Sequence, residues 1–485
     1  MTSESSTLPP EERRRAFAVI LAAGFMTLLD VSIVNIALPS VEASLNANAT
    51  HIQLIVAGYS LAFGLVLVPA GRLGDVYGRR RIFLLGVIGF VIASVACGLA
   101  PTAALLSIFR LLQGVAAALI NPQVVGLIQQ LFSGPERGRA FGIFGASIGV
   151  STAIGPVLGG ALIGGLGPEL GWRAVFLVNL PVGIILVIAA RRYLPGHSRM
   201  EAAKLGLDIV GLILLGVTVL AIMMPFVGAE RTGLAGAPWW WLAIAAVGYV
   251  AFMAWELRLD SRGGSAVVPR SLMRNTGFVF GTAMGTAYFA GFTGIWIVIS
   301  VYIQSGLQLG ALIAGLIGLP FSITAGYMSA RSGHWLPRYG RWLVVIGLAV
   351  MGVGIAALDI ASIVVPEPYI PWVMMAIMGV AGVGSGFVIS PNQALTLADV
   401  PVASGGTAGG VLQTTQRVGA SVGLAVMTSV FFTTQATAGG DAASSYGHAF
   451  SMALRVTVGM IVVALIIAVI DARRRQHDAD AEANS

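Results

Sequence analysis

Residues 52–100 read IQLIVAGYSLAFGLVLVPA (52–70), GRLGDVYGRRR (71–81) and IFLLGVIGFVIASVACGLA (82–100). Two apolar runs, each near the roughly 20 residues a helix needs to cross a bilayer, flank one short polar loop. Lipid cannot satisfy a free backbone amide, so each run is expected to be helical. Glycines at 71, 74 and 78 let the loop turn tightly, and Arg72 with Arg79–Arg81 makes it basic. The stretch reads as a membrane hairpin with a basic turn.

The rest of the chain repeats that unit. Fourteen runs fit a spanning helix: 17–39, 52–70, 81–100, 102–123, 140–165, 172–190, 206–228, 239–257, 276–304, 309–330, 342–363, 370–392, 405–432 and 449–470. Of the 485 residues 56% are hydrophobic and 10% charged, against about 25% charged in ordinary soluble domains. Mean hydropathy is +0.87. These values exclude a disordered or soluble globular chain and fit an all-α integral membrane protein with little mass outside the bilayer. The first run follows Arg13–Arg15 as a signal peptide would. It is too long for that role and more spans follow, so it reads as an uncleaved first helix.

The net charge is +7, and 27 of the 28 basic residues are arginine, Lys204 being the exception. Twenty-three lie on the side that holds the termini and alternate loops, including Arg13–Arg15, Arg72, Arg79–Arg81, Arg137, Arg139, Arg191, Arg192, Arg199, Lys204 and Arg473–Arg475. Arg173 and Arg231 lie on the other side, and Arg110, Arg417 and Arg455 fall within spans. The basic side is expected to be cytoplasmic. Both termini are then inside the cytoplasmic membrane, and the span number is even. The charge is a topology signal and calls for no nucleic-acid partner.

Several classes are excluded. A P-loop needs Gly-Lys-Ser/Thr, and the single lysine follows Ala202-Ala203, so no ATP site is expected. Gly352-x-Gly354-x-x-Ala357 lies inside a span with no βαβ context and is not a dinucleotide site. His51, His197, His334, His448 and His477 all sit in loops or at span ends, so no haem or metal site is expected. Cys97 stands alone in an apolar run, without a disulfide or metal framework. No lysine lies within a span, which argues against a proton-pumping respiratory subunit.

Spans 5 and 13 share a glycine pattern. Span 5 holds Gly138xxxGly142, Gly145xxxGly149 and Gly155-Pro156-Val157-Leu158-Gly159-Gly160; span 13 holds Gly406xxxGly410 and Gly419xxxGly423. Small residues four apart let helices approach closely. They fall fifth in two six-span blocks, and repeated halves are the usual plan of secondary transporters. The expected organisation is a tail at 1–16, a six-helix bundle at 17–190, a linker with two extra spans at 191–275, a second six-helix bundle at 276–470 and a tail at 471–485.

Four motifs resemble the major facilitator superfamily, specifically its fourteen-spanner drug:proton antiporter family of the EmrB/QacA type. Span 1 ends Leu29-Asp30-Val31-Ser32-Ile33-Val34-Asn35-Ile36-Ala37-Leu38-Pro39, with Ser32 where that family usually has Thr. The loop Gly71–Arg81 resembles the superfamily's cytoplasmic motif, with Val76 where a basic residue is common. Arg110-Leu111-Leu112-Gln113-Gly114 and the Gly149-to-Gly160 run are similar to its fourth and fifth helices. Trp172-Arg173 and Asn179-Leu180-Pro181-Val182-Gly183 also match. The C-terminal half is similar mainly in span order. There Gln416-Arg417 departs from an Arg-Gln order, turning the arginine about 100° around its helix. The resemblance implies two bundles with two extra central helices, moving around a shared cavity.

An ionised group in a span costs at least about 2.5–3.5 kcal/mol, so each should face a cavity or partner. Asp30 lies about 13 Å from the outer end of span 1, and Arg110 about 12 Å deep in span 4, at 1.5 Å per residue. Matching depth makes an ion pair feasible, and a carboxylate beside a removable partner can exchange a proton. Asp30 and Arg110 are therefore the expected proton-coupling pair. Asn35, Gln113, Tyr288, Phe292, Trp296, Gln413 and Arg417 are substrate-cavity candidates. Gly71, Gly74, Asp75, Gly78, Arg79 and Arg80 are the expected cytoplasmic latch, with Asp75 accepting from arginines or a facing helix N-terminus. Gly145, Gly149, Gly155, Pro156, Gly159 and Gly160 are the expected packing motif. Solvation at the interface is expected for Asp208, Glu256 and Asp359, and an outward reach for Arg455. The expected activity is proton-coupled export of amphipathic small molecules by a monomer that uses no cofactor. Dedicated export of one metabolite or lipid, and a nontransporting sensor, are the alternatives.

Overall fold

The computed structural model describes residues 8–196, 206–438 and 442–483, and all regular structure among them is helical. His197, Arg199 and Lys204 lie outside the described residues, as does the side chain of Arg231. The long helices are α1 (Pro10–Leu45), α2 (Tyr59–Tyr77), α3 (Arg79–Gly98), α4 (Ala103–Leu131), α5 (Gly134–Leu177), α6 (Asn179–Tyr193), α7 (Ile209–Thr232), α8 (Trp241–Ser261), α9 (Thr276–Phe292), α10 (Ala311–Tyr339), α11 (Trp342–Val364), α12 (Ile370–Thr396), α13 (Gly405–Thr437) and α14 (Ala442–Ala483). Short side chains set several of their starts. Thr102 Oγ1 accepts from Leu105 N at 3.3 Å before α4, and Asn275 Oδ1 accepts from Phe278 N at 3.0 Å before α9, each satisfying an amide with no helical partner. Gly78, at φ 99°, joins α2 to α3 in a backbone region that side chains rarely tolerate.

Thirteen segments among the described residues are long and apolar enough to cross a membrane, one fewer than the sequence predicts. The difference lies at Gly134–Tyr193, a single apolar helical segment of 60 residues that holds the expected spans 140–165 and 172–190. Its helix breaks at Gly167, where φ is 79° and ψ 165°, and Pro168 follows. A Cβ at Gly171 would lie 2.5 Å from Ile163 Cα. Residues eight apart in one continuous helix stand about 12 Å apart. The chain therefore reverses within α5, without a loop long enough to separate two helices.

Two apolar cores hold the molecule. One gathers mainly residues 16–194, among them Met26, Phe83, Phe90 and Phe141; the other gathers residues 284–468, among them Tyr288, Leu348, Met378 and Phe450. The two bundles meet along α2 with α13 and along α5 with α10. Small residues set both spacings: a Cβ at Gly410 would come within 2.6 Å of Leu67 O, and one at Gly142 within 2.7 Å of Ser329 O. These contacts belong to the stretches of α2 and α5 nearer the arginine-rich end of the bundle. The extra helix α7 packs against α8, α2 and α13.

Asp208 and Glu256 correct the interface reading. Both are buried, 8% and 6% exposed. Asp208 Oδ1 accepts from Gly211 N at 2.9 Å and from Trp255 Nε1 at 3.0 Å, while Glu256 Oε1 accepts from Val267 N at 3.0 Å. Each carboxylate ties a chain end or loop to the α7–α8 pair, and no composition argument distinguishes that from exposure to water. Asp359 pairs with Arg455 at 3.3 Å and accepts from Ser451 Oγ at 2.5 Å; Arg455 remains half exposed, as its outward reach requires.

Candidate functional site

Asp30 sits on α1 with no exposure to solvent. One oxygen accepts from Arg110 Nη1 at 2.7 Å; the other accepts from Gln113 Nε2 and Asn179 Nδ2, each at 2.9 Å. Four helices supply the cluster: α1, α3 through Ser94, α4 and α6. Ser94 Oγ accepts from Asn179 Nδ2 at 2.9 Å and donates to Phe176 O at 2.9 Å. Arg110 is held separately, donating Nε to Ile55 O at 3.1 Å, with its guanidinium 4.1 Å from the Tyr59 ring centroid. Ile55 lies in a π-turn, Leu54–Gly58, a distortion that recurs at functional sites. The charges are paired and the remaining lone pairs filled, as a low-dielectric site demands. Helix depth brings Asp30 and Arg110 together; Gln113, expected in the substrate cavity, instead bonds Asp30 and does not border the inter-bundle cavity, and Asn179, Ser94 and Tyr59 complete the cluster without having been site candidates.

A second polar cluster joins the bundles at the arginine-rich end. Asp75 Oδ1 accepts from Gly406 N at 3.0 Å, and Oδ2 accepts from Thr407 N at 2.7 Å and Thr407 Oγ1 at 2.8 Å. Those amides open α13, so a carboxylate from one bundle caps the positive end of a helix in the other. Arg79 Nη2 pairs with Asp75 Oδ1 at 2.9 Å, donates Nη1 to Gly126 O at 2.7 Å and reaches Val402 O. Gly71 packs directly on the backbone of Gly406, and Gly74 on Gln123. Gln129 adds a bond to Leu397 O at 2.9 Å and Arg137 one to Ala398 O at 3.3 Å; sequence spacing gave no signal for these two. Arg80 is turned elsewhere: its hydrogen bond among the described residues is donated to Arg191 O within its own bundle.

The packing glycines divide. Gly145 and Gly149 face α10, where a Cβ at 149 would lie 3.0 Å from Ser322 O. Gly155 and Gly159 face α1, with Cβ positions against Ser32 and Ile33. Pro156 is exposed. Gly160 corrects the motif reading, since a Cβ there would meet nothing within 4 Å. The pattern 155–160 spans more than one turn, so one of its glycines necessarily turns away.

A small cavity of about 20 Å³ lies between the bundles, bordered by Thr27, Tyr59, Ser60, Phe63 and Asn121 of one and Arg417 of the other. Arg417 places its guanidinium 4.9 Å from the Phe63 ring centroid. Tyr59 borders this cavity while its ring carries Arg110. Asn35 is exposed and Gln413 half-buried, and neither borders it. Tyr288 is 1% exposed and bonds Ser385 Oγ at 2.8 Å. Phe292 stacks on Tyr288 at 5.6 Å and on Phe321 at 5.0 Å, and Trp296 meets Phe321 edge-on at 5.2 Å. That aromatic set is packed into the core of the second bundle.

Two helical cores with a polar cavity at their interface form the architecture of a membrane transporter. The chain belongs to the Major Facilitator Superfamily, whose family model matches residues 20–424. It is 38% identical to the probable actinorhodin transporter of Streptomyces coelicolor over 447 residues, which covers 90% of this chain and 76% of that one. It is 31% identical to the tetracenomycin C resistance and export protein of Streptomyces glaucescens, covering 86% and 76%. In fold it is similar to the human organic anion transporter MFSD10, with a TM-score of 0.68 at 14% identity, covering 95% of this chain and 100% of that one.

Proposed function

We propose that the protein is a proton-driven exporter of amphipathic small molecules that crosses the cytoplasmic membrane fourteen times. The reversal at Gly167 would make Gly134–Tyr193 two crossings and the total even, so both termini would share one side, and the arginine bias supports that side being the cytoplasm. It would act as a monomer, with protons and substrate as its partners and no ATP site or cofactor.

The observation that carries this reading is the buried Asp30 cluster beside the inter-bundle cavity. Protonating Asp30 removes its charge and frees Arg110 to shift against Tyr59, which borders that cavity. Occupancy of the cavity and protonation of Asp30 are then coupled through one ring. Transport follows if substrate and proton prefer opposite conformations, since equal affinity shifts nothing. The contacts at Asp75 and Gly410 close the cytoplasmic end in this arrangement, so the structure stands for the form closed to the cytoplasm. Relatives named for antibiotic export support the substrate class and the direction. Because two of them are named for a single compound, dedicated export of one metabolite stands as the second reading.

The test is a proteoliposome carrying an imposed pH gradient and a panel of amphipathic substrates. Asp30→Asn keeps the shape but cannot titrate, and should abolish gradient-driven movement. Wild-type rates in that variant would remove Asp30 from the coupling step.

A further inference from the structure

We propose that the cavity between the bundles is an anion subsite, with Arg417 as its charge-recognising residue, so that the preferred substrates are aromatic organic anions. This rests on the transporter reading above for delivery of substrate, and deepens it by naming the substrate's charge.

The charge balance comes first. Asp30 is the nearest acid placed toward the centre of the first bundle, and Arg110 neutralises it at 2.7 Å while Gln113 and Asn179 fill its other oxygen. A cationic substrate would have to displace three donors to reach it. Arg417, by contrast, carries the charge among the residues that border the cavity. No hydrogen bond or ion pair among the described residues engages its guanidinium. Its one strong neighbour is the face of Phe63, at 4.9 Å. A guanidinium has five donors in a planar fork suited to a carboxylate or phenolate, and a ring face satisfies none of them. An intramembrane cation without a partner is the signature of a ligand site.

The neighbours match such a ligand. Tyr59 and Phe63 are stacked 6.2 Å apart, 9° from parallel, and offer flat apolar walls for an aromatic ring. Asn121 Nδ2 donates to Thr27 Oγ1 at 3.3 Å on the same wall, two polar groups that can rearrange toward ligand carbonyls or hydroxyls. Arg417 comes from α13 and the other residues from the first bundle, so the contact of Arg417 with Phe63 bridges the bundles. At about 20 Å³ the cavity now holds little more than one water. Parting the bundles breaks the Arg417–Phe63 contact, enlarges the cavity and exposes the cation. An anion then replaces the ring face as its partner.

The experiment is equilibrium binding to the purified full-length protein in detergent, without a gradient, using two dyes that share a xanthene core. Fluorescein is anionic and rhodamine 123 cationic. Wild-type protein should bind fluorescein at least about tenfold more tightly. Arg417→Gln should weaken fluorescein binding by about ten- to a hundredfold, the effect of losing a charge-assisted contact, and leave rhodamine 123 unchanged or tighter. Arg417→Lys should retain most of the fluorescein affinity. Equal or tighter binding of rhodamine 123 by the wild type, absence of fluorescein binding, or fluorescein affinity indifferent to Arg417→Gln would each overturn the proposal. If Arg417→Gln elutes as aggregate, the wild-type dye ratio and Arg417→Lys decide. Binding here requires no proton coupling, so a failed Asp30→Asn transport test leaves this result standing, and the reverse also holds.

Discussion

Replacing Asp75 by asparagine should open the arginine-rich end of the protein. The carboxylate accepts from Gly406 N, Thr407 N, Thr407 Oγ1 and Arg79 Nη2. Asparagine keeps one accepting oxygen and places an NH2 group against donors that it cannot satisfy. Two bonds are lost, together with the charge that complements the first turn of α13. At about 1–1.5 kcal/mol net for each bond the closed form loses about 2–3 kcal/mol. With 1.4 kcal/mol per tenfold, the open population rises about thirty- to a hundredfold. The assay is labelling of a Ser60→Cys reporter, which borders the cavity, by a membrane-impermeant maleimide added from the side that carries the termini. The native Cys97 is 0% exposed and provides the unlabelled background. Labelling should accelerate in Asp75→Asn by at least tenfold. An unchanged rate would refute the latch, and would leave the arginines of this loop with orientation as their sole role.

Other substitutions separate the remaining features. Arg110→Ala leaves a buried carboxylate uncompensated and should cost about 3–5 kcal/mol in detergent unfolding, whereas Asp30→Asn with Arg110→Gln should recover much of that loss; equal stability of the single and double variants would show that the pair is not coupled. Gly159→Leu should abolish transport without loss of insertion, because a Cβ there already lies 3.1 Å from Ile33 Cγ1, while Gly160→Leu should be silent because nothing lies within 4 Å; matching transport rates would mean that the α1–α5 contact does not matter. Asp359→Asn should change the melting free energy by less than about 1 kcal/mol, as its partner Arg455 is 55% exposed, and a larger loss would place that pair in the folding core.

The features legible in the sequence were those fixed by helix geometry alone. A constant rise along two helices predicts that Asp30 and Arg110 lie at one depth, and they meet at 2.7 Å. The acceptor role of Asp75 followed from the need of any helix N-terminus for partners. What was not legible depends on how helices are rotated about their axes. Asn179 and Ser94 reach Asp30 only because α6 and α3 turn those residues inward, and the one trace of this was Asn179 opening its Asn-Leu-Pro run. The same limit applies to Gly160 and Arg80, each one position off the face that its neighbours share. The separation of spans 140–165 and 172–190 was legible from Gly167-Pro168-Glu169 between them, whereas the reversal itself depends on a single positive φ at Gly167, within one 60-residue apolar helical segment.

The two bundles arrange their charged residues differently. Tyr77-Gly78-Arg79 and Tyr339-Gly340-Arg341 open α3 and α11 in the same way, each with its glycine at positive φ, 99° and 52°. Arg79 reaches across to the second bundle, whereas Arg341 pairs with Asp471 of its own bundle at 2.5 Å and with Asn392 Oδ1 at 2.5 Å. The second bundle is thus braced internally at that end, and opening costs the Asp75 contacts without disturbing Arg341. Nearer the centre the order reverses. The first bundle holds Asp30 paired with Arg110, and the second offers an aromatic core and Arg417, whose guanidinium has no hydrogen bond or ion pair among the described residues and lies against Phe63. The shift from Arg-Gln to Gln416-Arg417, one residue and about 100° of rotation, accompanies a guanidinium that lies across the interface against Phe63, 4.9 Å from its ring centroid.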